Sequence, residues 1–296
     1  MTAKQPVRFP YLHVRRHFLV RLLLDCLVFL LMLIVSQPFL VFPYAFLSLF
    51  DSAARDPQTL PPDVQSFFVA TDDGKRLEVW HLPAHSAAAR HSVAVFFHGN
   101  GGGIANFFPY QQWLSSIGIS SYGFDYRGYG KSTGWPTEEG VFRDGQAVWR
   151  FAANREGLDP AEVIGIGNSI GSGPAARSAL FFRARTLVLI APYTSLPEVA
   201  RQRPLLGLLS PFLWYSFPTK EYLKSLPGTC LVLAHGRKDT VIRFSHSEEL
   251  ELAYRGTGPV ALVVSATAGH NDILFAAYPE IGEKLDKCLT RKETAP

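Results

Sequence analysis

The sequence predicts an α/β protein with a mostly parallel central sheet and helices on both of its faces. From residue 64 onward, short apolar runs suited to buried strands alternate with longer segments of helical periodicity. Strands that alternate with helices build parallel sheets that are covered on both sides. Polar or glycine-rich motifs also follow several of these strands directly. Because open α/β sheets gather their ligands at the carboxyl ends of the strands, we expect a functional site at that edge.

The chain begins with a basic tail, residues 1–17, and continues with an apolar segment, residues 18–50. Residues 26–35 carry no charged or strongly polar side chain, and the run counted from Phe18 is long enough to span a bilayer. Basic residues precede the run, whereas the charges after it are mixed. The positive-inside rule therefore predicts a single-pass transmembrane anchor with a cytoplasmic N-terminus and the remaining domain on the extracytoplasmic side.

Two questions about this segment stay open at the level of the sequence. The small residues Ser52-Ala53-Ala54 resemble a signal-peptide cleavage site, although the apolar run is longer than the ~7–15 residues of a typical signal-peptide core. The second apolar run, residues 39–50, lengthens the span, lies at the membrane interface or packs on the domain. Residues 51–63 contain three prolines and predict a stiff linker.

The net charge of +4 says little about partners, because it comes entirely from the N-terminus. Residues 1–25 hold five Lys or Arg and one Asp, and the rest of the chain is balanced at 24 of each sign. A neutral domain without a basic run argues against nucleic-acid binding.

The cysteines and the clustered histidines do not predict a metal site or a disulfide framework. No cysteine has metal-ligand spacing, and we expect all three to act as small apolar residues: Cys26, Cys230 and Cys288. Three histidines lie close in sequence but fit no metal template, so we expect them on the surface: His81, His85 and His91. The sequence thus calls for no metal and no cofactor.

The predicted elements of the domain, residues 64–289, follow in a regular order, with a short tail at 290–296. A hairpin comes first, because two apolar runs, 64–71 and 77–82, flank the turn sequence Asp72-Asp73-Gly74. Thr137 is a suitable N-cap for a helix over 138–154. Further strands are expected at 93–97, 119–124, 162–166, 186–191, 229–234 and 260–265, and further helices at 107–117, 245–254 and about 273–289.

Residues 195–226 interrupt the alternation of strands and helices. Four prolines divide this segment, and leucines and aromatic residues lie between them. We predict a cap inserted over the mouth of the site, able to bind acyl chains or to touch the bilayer, or else simply packed on the sheet. We refer to residues 195–226 as the cap.

The most informative stretch is Gly167-Asn168-Ser169-Ile170-Gly171, which lies between a predicted strand and a predicted helix. A G-x-S-x-G sequence in this setting is the nucleophile-elbow pattern. The two glycines leave room for the backbones that nearly touch at so sharp a turn. The turn would lift the Ser169 hydroxyl above the sheet edge and aim the Ile170 N–H at the same reacting atom.

An acid and a histidine follow the serine in the order Ser169, Asp239, His270, each after a predicted strand. By contrast, Gly130-Lys131-Ser132 fails as a phosphate loop, because Asp125 stands where the first glycine is required. Five motifs follow predicted strands: His98-Gly-Asn-Gly-Gly102, Asp125-Tyr-Arg-Gly-Tyr-Gly-Lys-Ser132, Gly167-Asn-Ser-Ile-Gly171, His235-Gly-Arg-Lys-Asp239 and Gly269-His-Asn-Asp272. With these motifs, the sequence resembles the serine-type α/β-hydrolases, in particular a membrane-anchored branch with depalmitoylating and serine-aminopeptidase-like members.

The chemistry of a serine hydrolase assigns a role to each residue. Ser169 needs a base to become nucleophilic, and His270 is that base and afterwards the acid for the leaving group. Asp239 holds the imidazole in the useful tautomer. The oxyanion would be met by the Ile170 N–H and by the loop 98–103, where the resemblance implies the Asn100 N–H.

Alternative assignments are weaker. Asp272 is close in sequence to His270, but two residues away on one loop it is badly placed to orient the ring. His98 is a candidate base, although a histidine at this position in the family looks structural.

The resemblance implies a serine hydrolase. The apolar segment 205–217 favours carboxylic esters or thioesters as the bonds it cleaves, and a small-molecule acyl ester or a lipid-like molecule as the substrate. A peptidase or amidase with the same triad is the first alternative. A catalytically inactive, membrane-tethered scaffold on the same fold is the second.

Overall fold

The computed structural model describes residues 11–50, 60–85, 92–204 and 206–291. The described strands form one eight-stranded sheet: β1 (Gln65–Ala70), β2 (Arg76–Leu82), β3 (Ser92–Phe97), β4 (Ile119–Phe124), β5 (Ile164–Asn168), β6 (Thr186–Ile190), β7 (Cys230–Gly236) and β8 (Val260–Ser265). Their order across the sheet is β1-β2-β4-β3-β5-β6-β7-β8. Only the β1–β2 and β2–β4 pairs of this sheet are antiparallel. The predicted mostly parallel sheet is confirmed.

Helices cover both faces of this sheet, as predicted. The described α-helices are α1 (Tyr11–Val41), α2 (Pro43–Phe50), α3 (Phe108–Ser116), α4 (Glu138–Glu156), α5 (Ser172–Phe182), α6 (Leu196–Arg201), α7 (Thr219–Ser225), α8 (Ser245–Ala253) and α9 (Ile273–Leu289). On one face, Trp149 of α4 and Ala175 of α5 belong to a large apolar core. On the other face, Leu114 of α3 and Ile281 of α9 belong to a second core.

α1 is the one described helix that is long and apolar enough to cross a membrane, over residues 17–41. The chain directly after it packs on the domain. Phe42 is 1% exposed and makes edge-to-face ring contacts with Tyr129 and Tyr215, and Ala45 of α2 is fully buried. Two of the three alternatives for residues 39–50 therefore apply to different parts of the segment. Residues 39–41 lengthen the candidate span as the end of α1, and Phe42 and Ala45 pack on the domain.

The strand that carries the G-x-S-x-G motif starts two residues later than predicted. Residues 160–162 form a 3-10 turn instead, with Asp159 as its N-cap. The Asp159 carboxylate accepts from the Ala161 N–H at 2.8 Å, and the Glu162 carboxylate accepts from the Asp159 N–H at 3.1 Å. This reciprocal capping stabilises a turn at the place where the apolar pattern alone suggests that the strand has begun.

Two expectations about side chains are wrong. Cys230 on β7 and Cys288 on α9 are joined in a disulfide, with their Cα atoms 5.6 Å apart, because α9 packs across β7 and brings the two thiols together. His81 is buried rather than on the surface, because it is part of β2 and its ring stacks on Tyr122 with 4.5 Å between centroids. His85 is exposed, as expected.

Several predicted features lie outside the described residues. They are residues 1–10 of the basic tail, linker residues 51–59 with the alternative cleavage site Ser52-Ala53-Ala54, residues 86–91 with His91, Leu205 of the cap and residues 292–296.

Candidate active site

Ser169 lies on a sharp turn between β5 and α5. Its φ of +51° falls in the left-handed region, which a residue with a side chain rarely adopts. Glycines two residues to either side make the turn feasible. A Cβ on Gly167 would lie 2.7 Å from the Gly171 carbonyl oxygen, and a Cβ on Gly171 would clash with the carbonyl groups of Phe97 and His98. The turn therefore depends on both glycines of the motif.

The structure brings Ser169, His270 and Asp239 into one hydrogen-bonded chain. His270 Nε2 lies 2.9 Å from Ser169 Oγ, and His270 Nδ1 lies 2.7 Å from Asp239 Oδ2. Ser169 follows β5, Asp239 follows β7 and His270 follows β8, so all three stand at the carboxyl edge of the sheet. The Asp239 side chain is fully buried and that of His270 is 12% exposed, so the imidazole lies between the buried carboxylate and the serine hydroxyl.

Asp239 is held as a carboxylate by four hydrogen bonds. Burial by itself opposes its ionisation, but hydrogen bonds from His235 and His270 and from the Ile242 N–H outweigh burial and hold the pKa below its ordinary value. One carboxylate oxygen accepts from the N–H groups of Val241 and Ile242 at 2.8 and 2.7 Å. The other oxygen faces the two histidines.

His235 also contributes to the site. It belongs to the motif His235-Gly-Arg-Lys-Asp239, but no role is predicted for it from the sequence. Its Nε2 lies 3.1 Å from Asp239 Oδ2 and 2.9 Å from the Ile242 carbonyl oxygen, so this nitrogen carries the proton. Its Nδ1 then accepts from the Ser247 hydroxyl at 2.7 Å. The two residues are close in sequence, with His235 near the end of β7 and Asp239 three residues after the strand, but this spacing alone does not predict the contact.

Asp272 does not orient His270. Its carboxylate accepts from the Gly269 N–H at 2.7 Å and so closes the loop that carries the histidine. The preference for Asp239 over Asp272 as the partner of the ring agrees with this geometry.

The two predicted oxyanion donors border the same cavity as Ser169. Ile170 is the second residue of the turn that leads into α5, and the first N–H groups of a helix have no intrahelical acceptor. On the other side, Asn100 is fixed through its side chain. Its Nδ2 donates to the Val41 carbonyl at 2.6 Å, and its Oδ1 accepts from the Tyr129 hydroxyl at 2.8 Å. The end of α1 therefore contacts the glycine-rich loop directly.

His98 lies beneath this loop and is fully buried, away from the reacting group. Its Nδ1 lies 2.7 Å from the Gly99 carbonyl oxygen, and its Nε2 lies 3.6 Å from Asp125 Oδ1. Burial lowers the pKa of His98 to about 4. Burial also disfavours the charged form of Asp125, and it raises the pKa of this carboxyl group to about 7, although the Ile104 N–H donates to its carboxylate. Both groups support the loop, which agrees with a structural role for His98.

A cavity of about 420 Å³ opens above Ser169. Its lining is mostly apolar, and the apolar residues come mainly from three parts of the chain: α1 (Leu30, Leu33, Leu40), the cap (Leu206, Leu209, Leu213) and the segment after β7 (Val241, Ile242). Its size falls within the ~300–1,000 Å³ of typical small-molecule sites. Among the described residues, no group of three His, Cys, Asp or Glu side chains is arranged to hold a metal ion.

Comparisons with known proteins agree with this architecture. The family model described as serine aminopeptidase, S33, matches residues 88–255, more than half of the chain. Alpha/beta hydrolase domain-containing protein 17B of Homo sapiens is 31% identical over 219 residues, which cover 73% of this chain and 73% of that protein. Rv2307c of Mycobacterium tuberculosis, an uncharacterized protein, is 33% identical over 212 residues, 71% of this chain and 74% of that protein.

The fold is also found among solved structures. The esterase Pf2001 of Pyrococcus furiosus superposes with a TM-score of 0.65 at 20% sequence identity, covering 80% of this chain and 95% of that one. At this level of identity the likeness shows the fold alone.

Proposed function

We propose that this chain, which belongs to the S33 serine aminopeptidase family of α/β-hydrolases, is a membrane-anchored serine hydrolase of carboxylic esters or thioesters. The observation that carries the proposal is the hydrogen-bonded series from Ser169 through His270 to Asp239, with separations of 2.9 and 2.7 Å. A hydroxyl in contact with a base, itself oriented by a buried carboxylate, is the arrangement that acyl transfer requires.

The proposed reaction proceeds in two halves. His270 Nε2 takes the Ser169 proton as Oγ attacks the acyl carbon, and the N–H groups of Ile170 and Asn100 stabilise the oxyanion that forms. When the intermediate collapses, His270 protonates the departing alcohol or thiol, which leaves an acyl group on Ser169. Water then attacks this acyl group with His270 as its base, which releases the acid and restores the serine.

The character of the cavity favours acyl chains over peptides. The surface above Ser169 is built mainly from leucine, isoleucine and valine side chains, which suit a hydrocarbon chain. An aminopeptidase has to compensate the charged amino group of its substrate. Among the described residues that line the cavity, Arg203 is the one arginine, and none is Asp or Glu. The description of the family keeps peptide or amide hydrolysis as the second candidate.

We further propose that residues 18–50 stay attached as a single-pass anchor, with the N-terminus in the cytoplasm and the hydrolase domain outside it. Two observations support this. Phe42 and Ala45 are buried in the domain, so cleavage after residue 50 would separate the domain from part of its own core. The disulfide between Cys230 and Cys288 suits an oxidising, extracytoplasmic compartment and agrees with the basic N-terminal flank.

A substrate panel tests the proposed activity. Full-length protein in detergent is assayed with 4-nitrophenyl esters of increasing chain length, with acyl thioesters and with aminoacyl anilides. We expect kcat/KM to be highest for esters or thioesters and to vanish in Ser169→Ala. Preferential cleavage of the anilides would favour the peptidase. A folded protein inactive on all three classes would favour the scaffold.

A further inference from the structure

The C-terminal half of α1 presents one face to the hydrolase and the opposite face to its surroundings. Residues 30, 33, 34 and 37 are partly or fully buried, and this spacing defines a single helical face. Between them, Leu31 and Val35 are 58% and 60% exposed. A helix that only tethered the domain would not need such a face, so its last turns belong to the packed structure.

Gln37 joins this face to the cap. The side chain is 4% exposed, and its Nε2 donates to the Phe212 carbonyl at 2.7 Å while its Oε1 accepts from the Trp214 N–H at 2.7 Å. Both hydrogen-bonding ends of a buried amide are thus satisfied by backbone groups of the cap, 175 or more residues away in sequence. This pairing fixes the register between α1 and the cap.

The seam between α1 and the cap is also a wall of the cavity. Leu33 of α1 and Leu213 of the cap border the same space as Ser169. Trp214, whose N–H donates to Gln37 at this seam, is 67% exposed, and Leu208 elsewhere in the cap is 76% exposed. Large apolar side chains next to a membrane-spanning helix are suited to the bilayer interface, where tryptophan is enriched.

We propose that the substrate's acyl chain enters the site from the adjacent bilayer leaflet, through the seam between α1 and the cap, so that the anchor helix is part of the binding site. The occupant to which this commits is the fatty-acyl chain of a membrane lipid ester. α1 is long and apolar enough to cross a membrane, and its C-terminal half lines the cavity, so one helix connects the proposed bilayer surface with the space beside Ser169. This inference rests on the proposed esterase function.

Two substitutions within one turn of α1, on opposite faces of the helix, test the inference. Leu33→Trp adds bulk to the cavity wall and so narrows the cavity, whereas Val35→Trp places the same bulk on the exposed face of α1. Each full-length protein is reconstituted in phosphatidylcholine vesicles, and kcat/KM is measured for 1-oleoylglycerol in the vesicles and for soluble 4-nitrophenyl acetate. The quantity compared is the ratio of the lipid kcat/KM to the acetate kcat/KM.

We expect this ratio to fall at least about tenfold in Leu33→Trp, because one misplaced hydrocarbon contact in an apolar site changes discrimination by that order. In Val35→Trp we expect it to remain within about twofold of the unmodified protein. Equal ratios in the two variants would overturn the inference while leaving the esterase intact. If the unmodified protein hydrolyses neither the lipid nor the acetate, that result would instead overturn the proposed function.

Fluorescence quenching tests whether the seam lies against the bilayer, and it does not require a substitution in the cavity. Tryptophan fluorescence of the reconstituted protein is recorded in vesicles with and without brominated phosphatidylcholine, which quenches tryptophans that contact the acyl region. The chain has five tryptophans, so the Trp214 contribution is obtained by difference from Trp214→Phe. We expect weaker quenching in the variant. Identical quenching in both proteins would place the cap away from the bilayer and contradict entry through the seam.

Discussion

Asp239 Oδ2 lies 2.7 Å from His270 Nδ1, although 31 residues separate the two along the chain. The contact exists because Asp239 follows β7 and His270 follows β8, and these strands are parallel neighbours in the sheet. The same carboxylate also accepts hydrogen bonds from the His235 imidazole and from two backbone N–H groups. Its position is therefore fixed from three sides.

The first prediction concerns this carboxylate. Asp239→Asn should lower kcat for a 4-nitrophenyl ester by about 10⁴-fold, because an amide at this position favours the wrong tautomer of the ring. The matched control is Asp272→Asn, which alters the hydrogen bond to the Gly269 N–H but does not touch the ring. We expect the control to lose no more than about tenfold, in keeping with one weakened loop hydrogen bond. Comparable losses in the two variants would contradict the assignment of Asp239.

The second prediction concerns the close approach at the serine turn. Gly171→Ala should destabilise the fold by about 3 kcal/mol or more, because the new methyl group meets the carbonyl groups of Phe97 and His98 on β3 and its following loop. Gly101→Ala is the control, since nothing lies within 4 Å of the methyl group it would add. Denaturant unfolding of both variants measures the difference. A stability of Gly171→Ala equal to that of the control would show that the turn relaxes without cost.

The third prediction concerns Asp125 and pH. Burial raises its pKa from 3.8 to about 7, so between these values the folded protein holds a proton that the unfolded chain has released. The carboxyl group therefore costs stability as pH rises through this window, and the cost is largest above pH 7. Asp125→Asn cannot ionise, so its stability relative to the unmodified protein should increase from pH 4 to 7 by up to about 4 kcal/mol. His98 has the opposite slope between its lowered pKa of about 4 and its ordinary value, but it is present in both proteins.

Unfolding free energies at several pH values measure this difference between the two proteins. A difference that stays constant from acid to neutral pH would show that Asp125 is already ionised at low pH.

The fourth prediction concerns the disulfide. Cys288→Ser should lower the free energy of unfolding by about 4 kcal/mol, the value expected for a bond that closes a loop of this length. Reductant should destabilise the unmodified protein by a similar amount and leave the variant unchanged. Cys26→Ser serves as the control, because Cys26 is an exposed free thiol on α1. An unmodified protein insensitive to reductant would argue against a bonded pair and would remove one support for the extracytoplasmic orientation.

The sequence predicts the sheet and the order of the site residues well, because both depend on local patterns. The buried strands are short apolar runs, and the strand β8 and the helix α9 begin and end where their patterns do. The start of β5 is misplaced only because Asp159 and Glu162 cap a turn there.

Contacts between distant segments leave no such local pattern. Gln37 meets the cap across 175 residues, and Cys230 meets Cys288 across 58, so neither pairing can be derived from spacing. The role of His235 is hidden for a different reason. Its ring supports Asp239 from inside the core, and a buried histidine at the end of a strand looks the same in sequence whether or not it contacts an acid.

The site of covalent labelling shows whether Ser169 is the activated nucleophile. The full-length protein is treated with a fluorophosphonate, which reacts with serines that are activated as nucleophiles, and the modified peptide is identified by mass spectrometry. We expect one probe per chain, attached to Ser169, with no adduct in Ser169→Ala and much slower labelling in His270→Ala. Unchanged labelling of Ser169→Ala, or an adduct on any other residue, would contradict the assignment of Ser169 as the nucleophile.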